Sequence, residues 1–323
     1  IASRLLFSID NIPLYYKKRQ FRRLQWLIRR NEISSLSKVV KVLFHGFWPD
    51  MDPANCQLLD ILQASSPSLR FTVTKRGDEA DILFQSCYTD SLPTEFAPQA
   101  LRLLFLGENV RPSYTAFDYS LSCDMSSYLG RNIYTPLWIF EVDWFNKTTY
   151  PDRNPKSLSA ISNGFHYNPD TRNGKIVYVG NNSEPHRIST IRCLQEHGFS
   201  LDIYGSQTRP VKDKHMLYNQ YSLALAFENS YYPGYTTEKL IHAFQSHIPV
   251  LYWGCLDASV IKRSDFLYEF NPYDNPNDMI RFVGNFLKSN STRFYPALVE
   301  KNEVNNLFKK ILSGISRIMS QFT

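Results

Sequence analysis

Cysteine is sparse and unpaired in this sequence. Cys56, Cys87, Cys123, Cys193 and Cys255 are scattered and odd in number, with no Cys-x-x-Cys and no histidine–cysteine pair at zinc spacing. This pattern excludes a disulfide framework or a structural metal as the scaffold and points to a reducing compartment. Long apolar runs are also missing. None approaches the ~20 residues that a bilayer-spanning helix needs, and no signal-peptide pattern is present. An anchor upstream of Ile1 is left open. The hydrolase signatures Gly-x-Ser-x-Gly and His-Glu-x-x-His do not occur, so hydrolysis has no positive support. Neither GxGxxG nor a Walker A loop marks a nucleotide site, and RNP-type aromatic motifs are missing, so no nucleic-acid partner is expected.

What the sequence does have is aromatic and basic character. Phe and Tyr lift the aromatic share to 15%, enough to furnish sugar- or base-stacking faces beyond those that fill cores. The net charge of +6 gathers at the ends. Lys17, Lys18, Arg19, Arg22, Arg23, Arg29 and Arg30 crowd one, and Lys301, Lys309, Lys310 and Arg317 punctuate the other. Near the second cluster Leu307, Ile311, Leu312, Ile315 and Ile318 form an apolar stripe. That helix can lie on an anionic membrane surface, or it can pack back on the body as a closing helix.

Between the ends, short apolar runs alternate with amphipathic stretches. Strands are predicted over 39–48, 80–87, 101–106 and 119–123, then over 175–179, 201–204, 223–227 and 249–253. Helices are predicted over 53–64, 185–197, 237–246, 277–288 and 302–322. Continuous apolar runs suit parallel strands covered on both faces, so the class is α/β. The segment 146–173, rich in Pro, Asn, Asp and Ser, reads as a connection or a long exposed loop. Two facing Rossmann-like domains with a cleft between them follow. The divisions are a basic helical segment over 1–36, a first Rossmann-like domain over 37–158, a second over 159–300 and an amphipathic helix over 301–323.

In open α/β sheets ligands sit beyond the carboxyl ends of the strands, so the residues after each strand carry the candidates. Leu106-Gly107-Glu108-Asn109 presents a carboxylate at a strand lip. It reads as a general base or as a carboxylate bonded to its own turn. Val179-Gly180-Asn181-Asn182-Ser183 leads into a helix start with Pro185 and Arg187, which can clamp a phosphate or sit exposed in the first turn. Phe227-Glu228-Asn229-Ser230 leads through a Tyr/Pro/Gly loop to Thr237-Glu238-Lys239-Leu240. Lys239 falls in a first turn, where the helix dipole disfavours cations, so an anion is expected beside it. Tyr204-Gly205-Ser206 closes another strand of the same half, Asp50-Met51-Asp52 has a metal–diphosphate form, and Trp253 reads as packing. His45 and Trp48 border the acceptor side.

These residues carry a resemblance. Phe227-Glu228-Asn229-Ser230, Tyr235 through Leu240, Ile248-Pro249-Val250 and Trp253-Gly254 resemble the donor-site signature of the α-1,3/4-fucosyltransferases, glycosyltransferase family 10, most of all its bacterial branch. Phe105 through Asn109, Phe117-Asp118-Tyr119 and Asn181 through Arg187 fit the same family, over roughly residues 39–290.

The resemblance implies a GT-B-like fold and an inverting transfer of L-fucose from GDP-β-L-fucose to a GlcNAc or glucose hydroxyl of a glycan acceptor. It places Glu108 as general base, Arg187 and Lys239 on the diphosphate, and Glu238, Tyr235, Asn229 and Asn182 along the donor pocket. It implies no required cofactor and no essential divalent metal. The partners are GDP-fucose and an oligosaccharide or glycoconjugate of Lewis or O-antigen type. The location implied is the cytoplasm, with peripheral contact to the inner membrane face, or the Golgi lumen if an anchor was removed. His242 stands where the family often has an acidic residue or asparagine, and Gly180 where serine is usual. A transferase of the same architecture with another nucleotide sugar, and a non-catalytic carbohydrate-binding relative, are the rival readings.

Overall fold

The computed structural model describes residues 39–323 apart from Leu92, Asn182, Ser183, Gln207, Ala258 and Asn290. The predicted basic helix over 1–36 and the candidate Asn182 therefore lie outside the described residues.

The chain forms two compact units. In the first, β1 (Val39–His45), β2 (Arg70–Val73), β3 (Ile82–Ser86), β4 (Leu101–Leu106), β5 (Tyr119–Ser122) and β6 (Asn132–Tyr134) make one sheet in the order β2-β1-β3-β4-β5-β6. Every pairing is parallel. β3 and β4 are buried along their whole length, as strands covered on both faces must be. Helix α1 (Gln57–Ser65) carries Leu58, Ile61 and Leu62, which are fully buried.

In the second unit, β8 (Ile176–Val179), β9 (Leu201–Tyr204), β10 (Leu223–Phe227), β11 (Val250–Trp253) and β12 (Leu267–Glu269) form a parallel sheet in the order β12-β11-β10-β8-β9. Helices α2 (Pro185–Glu196), α3 (Glu238–Gln245) and α4 (Pro276–Leu287) follow β8, β11's neighbour β10 and β12 in the chain. A small antiparallel pair joins β7 (Phe165–Tyr167) to β13 (Arg293–Tyr295). Counted within its own unit, each large sheet runs in the order 2-1-3-4-5, with one more strand in the first. Strand order reverses between β1 and β3 in one and between β8 and β10 in the other. Such switch points are where a doubly wound sheet opens a crevice for a ligand.

Three expectations need correction. The main stretch of the first unit runs to Thr135 and the second begins at Pro136, not near residue 159, while Tyr150–Asp152 and Lys309–Thr323 return to the first unit. Tyr150 donates to Asp60 Oδ2 at 2.8 Å, which anchors that return. The segment 146–173 is not one long loop, because it contains the short helix Ser159–Ser162 and β7. Helix α5 (Lys301–Met319) is not a separate amphipathic element. Its stripe of Val304, Leu307, Phe308, Ile311, Ile315 and Ile318 is buried, with Phe308 stacked on Trp144 at 3.9 Å. Gly314 lies against Ile133, and Arg317 donates to Gly130 O at 3.1 Å. The apolar face therefore packs against the protein itself and is not available to lipid. No helix among the described residues is long and apolar enough to cross a membrane.

Candidate functional site

In the first unit β1, β3 and β4 end side by side, and the residues after them carry the candidates. Gly46 turns the chain with φ +65°, and a Cβ there would meet Thr89 Cγ2 at 2.3 Å, so glycine is required. Two residues on, Trp48 donates its indole N–H to Asp152 Oδ2 at 3.0 Å. Its ring meets Tyr88 edge-on, with centroids 6.3 Å apart. The Tyr88 hydroxyl in turn donates to Glu108 Oε1 at 3.0 Å. Trp48 and Glu108, both legible in the sequence, are thus linked by a tyrosine that the sequence reading did not name.

His45 closes β1 and packs its ring on Phe96, with centroids 4.3 Å apart. Beyond Glu108, Arg111 donates to Asn109 and pairs with the buried Asp124 at 3.2 Å. Burial works against the Asp124 charge, but bonds from Tyr128, the Ser126 N–H and Arg111 outweigh it and hold its carboxyl below the usual range. In Asp50-Met51-Asp52, Asp52 accepts from the Ala54 N–H at 2.9 Å and Met51 is buried, so that motif forms a local turn. Among the described residues, no group of three His, Cys, Asp or Glu is set to hold a metal.

In the second unit the candidates gather where β8 and β10 end. Arg187, one turn into α2, is 2% exposed. Its Nη2 donates to Phe227 O at 2.8 Å and to Asn229 Oδ1 at 2.7 Å. It is therefore not the exposed first-turn arginine that the sequence left open. It bridges the switch point and fixes the chain as it leaves β10. Among the described residues its Nε, though buried, has no hydrogen-bond partner.

Glu228 is 0% exposed. Its Oε1 accepts from the Thr237 N–H at 2.8 Å and Oε2 from the Thr237 hydroxyl at 2.6 Å. Tyr252 donates to Oε1 at 3.3 Å, and Lys239 Nζ lies 3.4 Å from Oε2. Lys239 also donates to Thr237 Oγ1 at 2.9 Å and pairs with Glu238 at 3.4 Å. The anion expected beside Lys239 is thus present in the chain itself. Glu228 caps the start of α3 from outside the helix, a role its place in a polar strand end did not reveal. Burial pushes the Glu228 carboxyl up from its ordinary value, Lys239 opposes this, and the Glu238 charge adds to it.

Glu238 behaves in the opposite way. Burial disfavours its charge, but Lys239, Lys214 and His242 together hold its carboxyl well below the usual range. Lys214 and His242 were not among the sequence candidates for this site. His242 Nε2 lies 2.8 Å from Glu141 Oε2, and its ring sits 5.5 Å from that of His215. Burial, then the His242 and Lys156 charges, push His215 down to about 4.

Tyr235 is 1% exposed and packs in the core beside this site. Gly205 is needed because a Cβ would meet the backbone oxygen of Gly180 at 2.6 Å, and Asn181 donates to Ser206 Oγ at 2.8 Å. That contact ties the end of β8 to the end of β9. Trp253 is buried and lies 3.8 Å from the His186 ring, as packing requires.

Both halves match sequence models of one family. The N-terminal domain of alpha-(1,3)-fucosyltransferase FucT matches residues 42–141, and the C-terminal part of glycosyltransferase family 10 (fucosyltransferase) matches residues 170–298. The chain belongs to glycosyltransferase family 10. Among family relatives, an alpha-(1,3)-fucosyltransferase of Helicobacter pylori is 25% identical over 304 residues, 79% of this chain and 61% of that protein. A human 3-galactosyl-N-acetylglucosaminide 4-alpha-L-fucosyltransferase is 28% identical over 156 residues, covering 46% of this chain and 39% of its own length. The chain thus spans less than two thirds of the length of these relatives. A crystal structure of an alpha1,3-fucosyltransferase superposes with a TM-score of 0.57 at 22% identity, over 87% of this chain and 94% of that one. A crystal structure of an alpha1,3-fucosyltransferase with GDP-fucose gives 0.55 at 21% identity, over 86% and 92%. The family 10 fold, GT-B-like with two α/β units, is therefore the fold of this chain.

Proposed function

We propose that this family 10 member is an inverting fucosyltransferase that moves L-fucose from GDP-β-L-fucose to a hydroxyl of GlcNAc or glucose in a glycan acceptor. The observation that carries the reading is the pair Arg187 and Lys239 at the β8/β10 switch point. Both charges act on the Tyr178 hydroxyl, whose pKa burial raises and they lower. Two cations beside the end of a parallel sheet suit a diphosphate. The relatives named above as an alpha-(1,3)- and a 4-alpha-L-fucosyltransferase, and the neighbour solved with GDP-fucose, support the donor and the Lewis-type acceptor.

In this reading the acceptor hydroxyl attacks the anomeric carbon as the bond to GDP breaks, and Glu108 takes the hydroxyl proton. Arg187 and Lys239 stabilise the charge that leaves with GDP. Glu238 and Asn229 line the sugar and ribose side. The cationic pair takes the role a metal plays in other transferases, so turnover should be unchanged in excess EDTA. Any contact with an anionic membrane would rest on the exposed Lys309, Lys310 and Arg317, and sedimentation with anionic liposomes tests it.

The deciding experiment is incubation with GDP-fucose and LacNAc-type and lacto-type acceptors, read by mass and linkage analysis. Fucosylated product supports the proposal. Binding of UDP- or CMP-sugars in place of GDP-fucose would replace it with another transferase, and donor binding without transfer to any acceptor would leave a carbohydrate-binding relative.

A further inference from the structure

Tyr88 follows β3 directly, at the switch point of the first unit, yet it is 52% exposed. An exposed tyrosine normally points its hydroxyl at water. This one donates to Glu108 Oε1 at 3.0 Å. The ring is not free to swing, because Trp48 stands edge-on to it and Trp48 is itself held through its indole N–H by Asp152 at 3.0 Å. The Trp48 ring also leans on Phe105 at 6.3 Å and Phe47 at 5.5 Å. Asp152 belongs to the short return segment that Tyr150 anchors on Asp60. A chain of four side chains, Asp152 to Trp48 to Tyr88 to Glu108, thus runs from a fixed backbone segment to one carboxylate oxygen.

Glu108 sits on a turn after Gly107, where its side chain has several rotamers open to it. A general base must hold one carboxylate orientation toward the hydroxyl it deprotonates, because a small misplacement costs much of the rate. We propose that Tyr88 is a positioning residue for Glu108. Its hydroxyl fixes the rotation of the carboxylate that accepts the acceptor proton. The proposal rests on the reading of Glu108 as the base.

The test is steady-state kinetics of Tyr88→Phe on the full chain with GDP-fucose and LacNAc. The phenyl ring keeps the packing on Trp48 and removes only the donor. A lost hydrogen bond to a charged group should lower kcat about tenfold, with the KM for GDP-fucose and the melting temperature unchanged. In a Glu108→Gln background the same change should cost nothing further. An unchanged kcat in Tyr88→Phe, or the same tenfold loss on top of Glu108→Gln, overturns the proposal. Near-normal transfer by Glu108→Gln alone would instead remove the base reading on which it stands.

Discussion

Glu108 and Glu228 hold comparable places in their units. Each follows an interior strand of a parallel sheet, β4 or β10, and each lies close to a switch point. Their surroundings differ in kind. Glu228 is wholly buried and meets the Thr237 N–H, the Thr237 hydroxyl, Tyr252 and Lys239. Glu108 is partly exposed, on a turn, with an exposed tyrosine donating to it. A carboxylate enclosed by protein donors holds architecture together, whereas the partly exposed one is the base of the proposed transfer. Position after a strand does not separate the two, but their partners do.

That contrast can be broken by substitution. Glu228→Ala strands the Thr237 N–H and the Tyr252 hydroxyl and removes a charge from beside Lys239. The expected loss is about 3 kcal/mol of stability, read as a lower urea midpoint. Glu108→Gln should leave that midpoint unchanged and lower kcat at least about a hundredfold, equivalent to about 2.7 kcal/mol of barrier, while GDP still binds. If the stability loss fell on Glu108 and the rate loss on Glu228, the comparison would be reversed.

A third effect is expected from pH. His215, ordinarily near 6.5, is held at about 4, so the folded protein keeps it neutral where the unfolded chain charges it. Its contribution is complete above 6.5 and is lost as pH falls from 6.5 towards 4, by on the order of 2 kcal/mol. Glu238 and Glu141, whose carboxyls are held low, add losses in the same direction at lower pH. Glu228, whose carboxyl is raised, gives the opposite slope, with its stability lost as pH rises. Chemical denaturation across this range should show a net acid loss that His215→Gln flattens. The smallest effect concerns Lys239→Ala, which should weaken GDP about tenfold by calorimetry. Unchanged affinity would assign Lys239 wholly to Glu228.

Much of the fold was legible because its strands are continuous apolar runs. β4, β9 and β10 lie where the sequence pattern puts them. The strands of the two large sheets that escaped notice, β2, β6 and β12, are short and mixed in polarity, with Arg70, Asn132 and Glu269 in them. Each is an edge strand, or in β12's case a terminal one, so burial imposes little pattern on it. At the site, the conflict between Lys239 and the helix dipole was a sound signal, but its resolution was not readable. A glutamate eleven residues earlier in the chain looked like an exposed strand end until folding carried α3 back over it. Arg187 was hidden for the same reason, since its acceptors belong to β10 and lie forty residues away. Tyr88 escaped because neither its composition nor its spacing distinguishes it from other tyrosines.

The first unit is not one stretch of chain. It takes residues 39–135, the short return at Tyr150–Asp152 and, at the far end, Lys309–Thr323. Chains are made from the amino terminus at about 5–20 residues per second, so this unit waits while the whole second unit is synthesised. Ile311, Ile315 and Ile318 are among the last core residues to appear. On the ribosome the half that comes first is therefore the half completed last, and the unit carrying Glu108 must persist unfinished until the closing helix arrives.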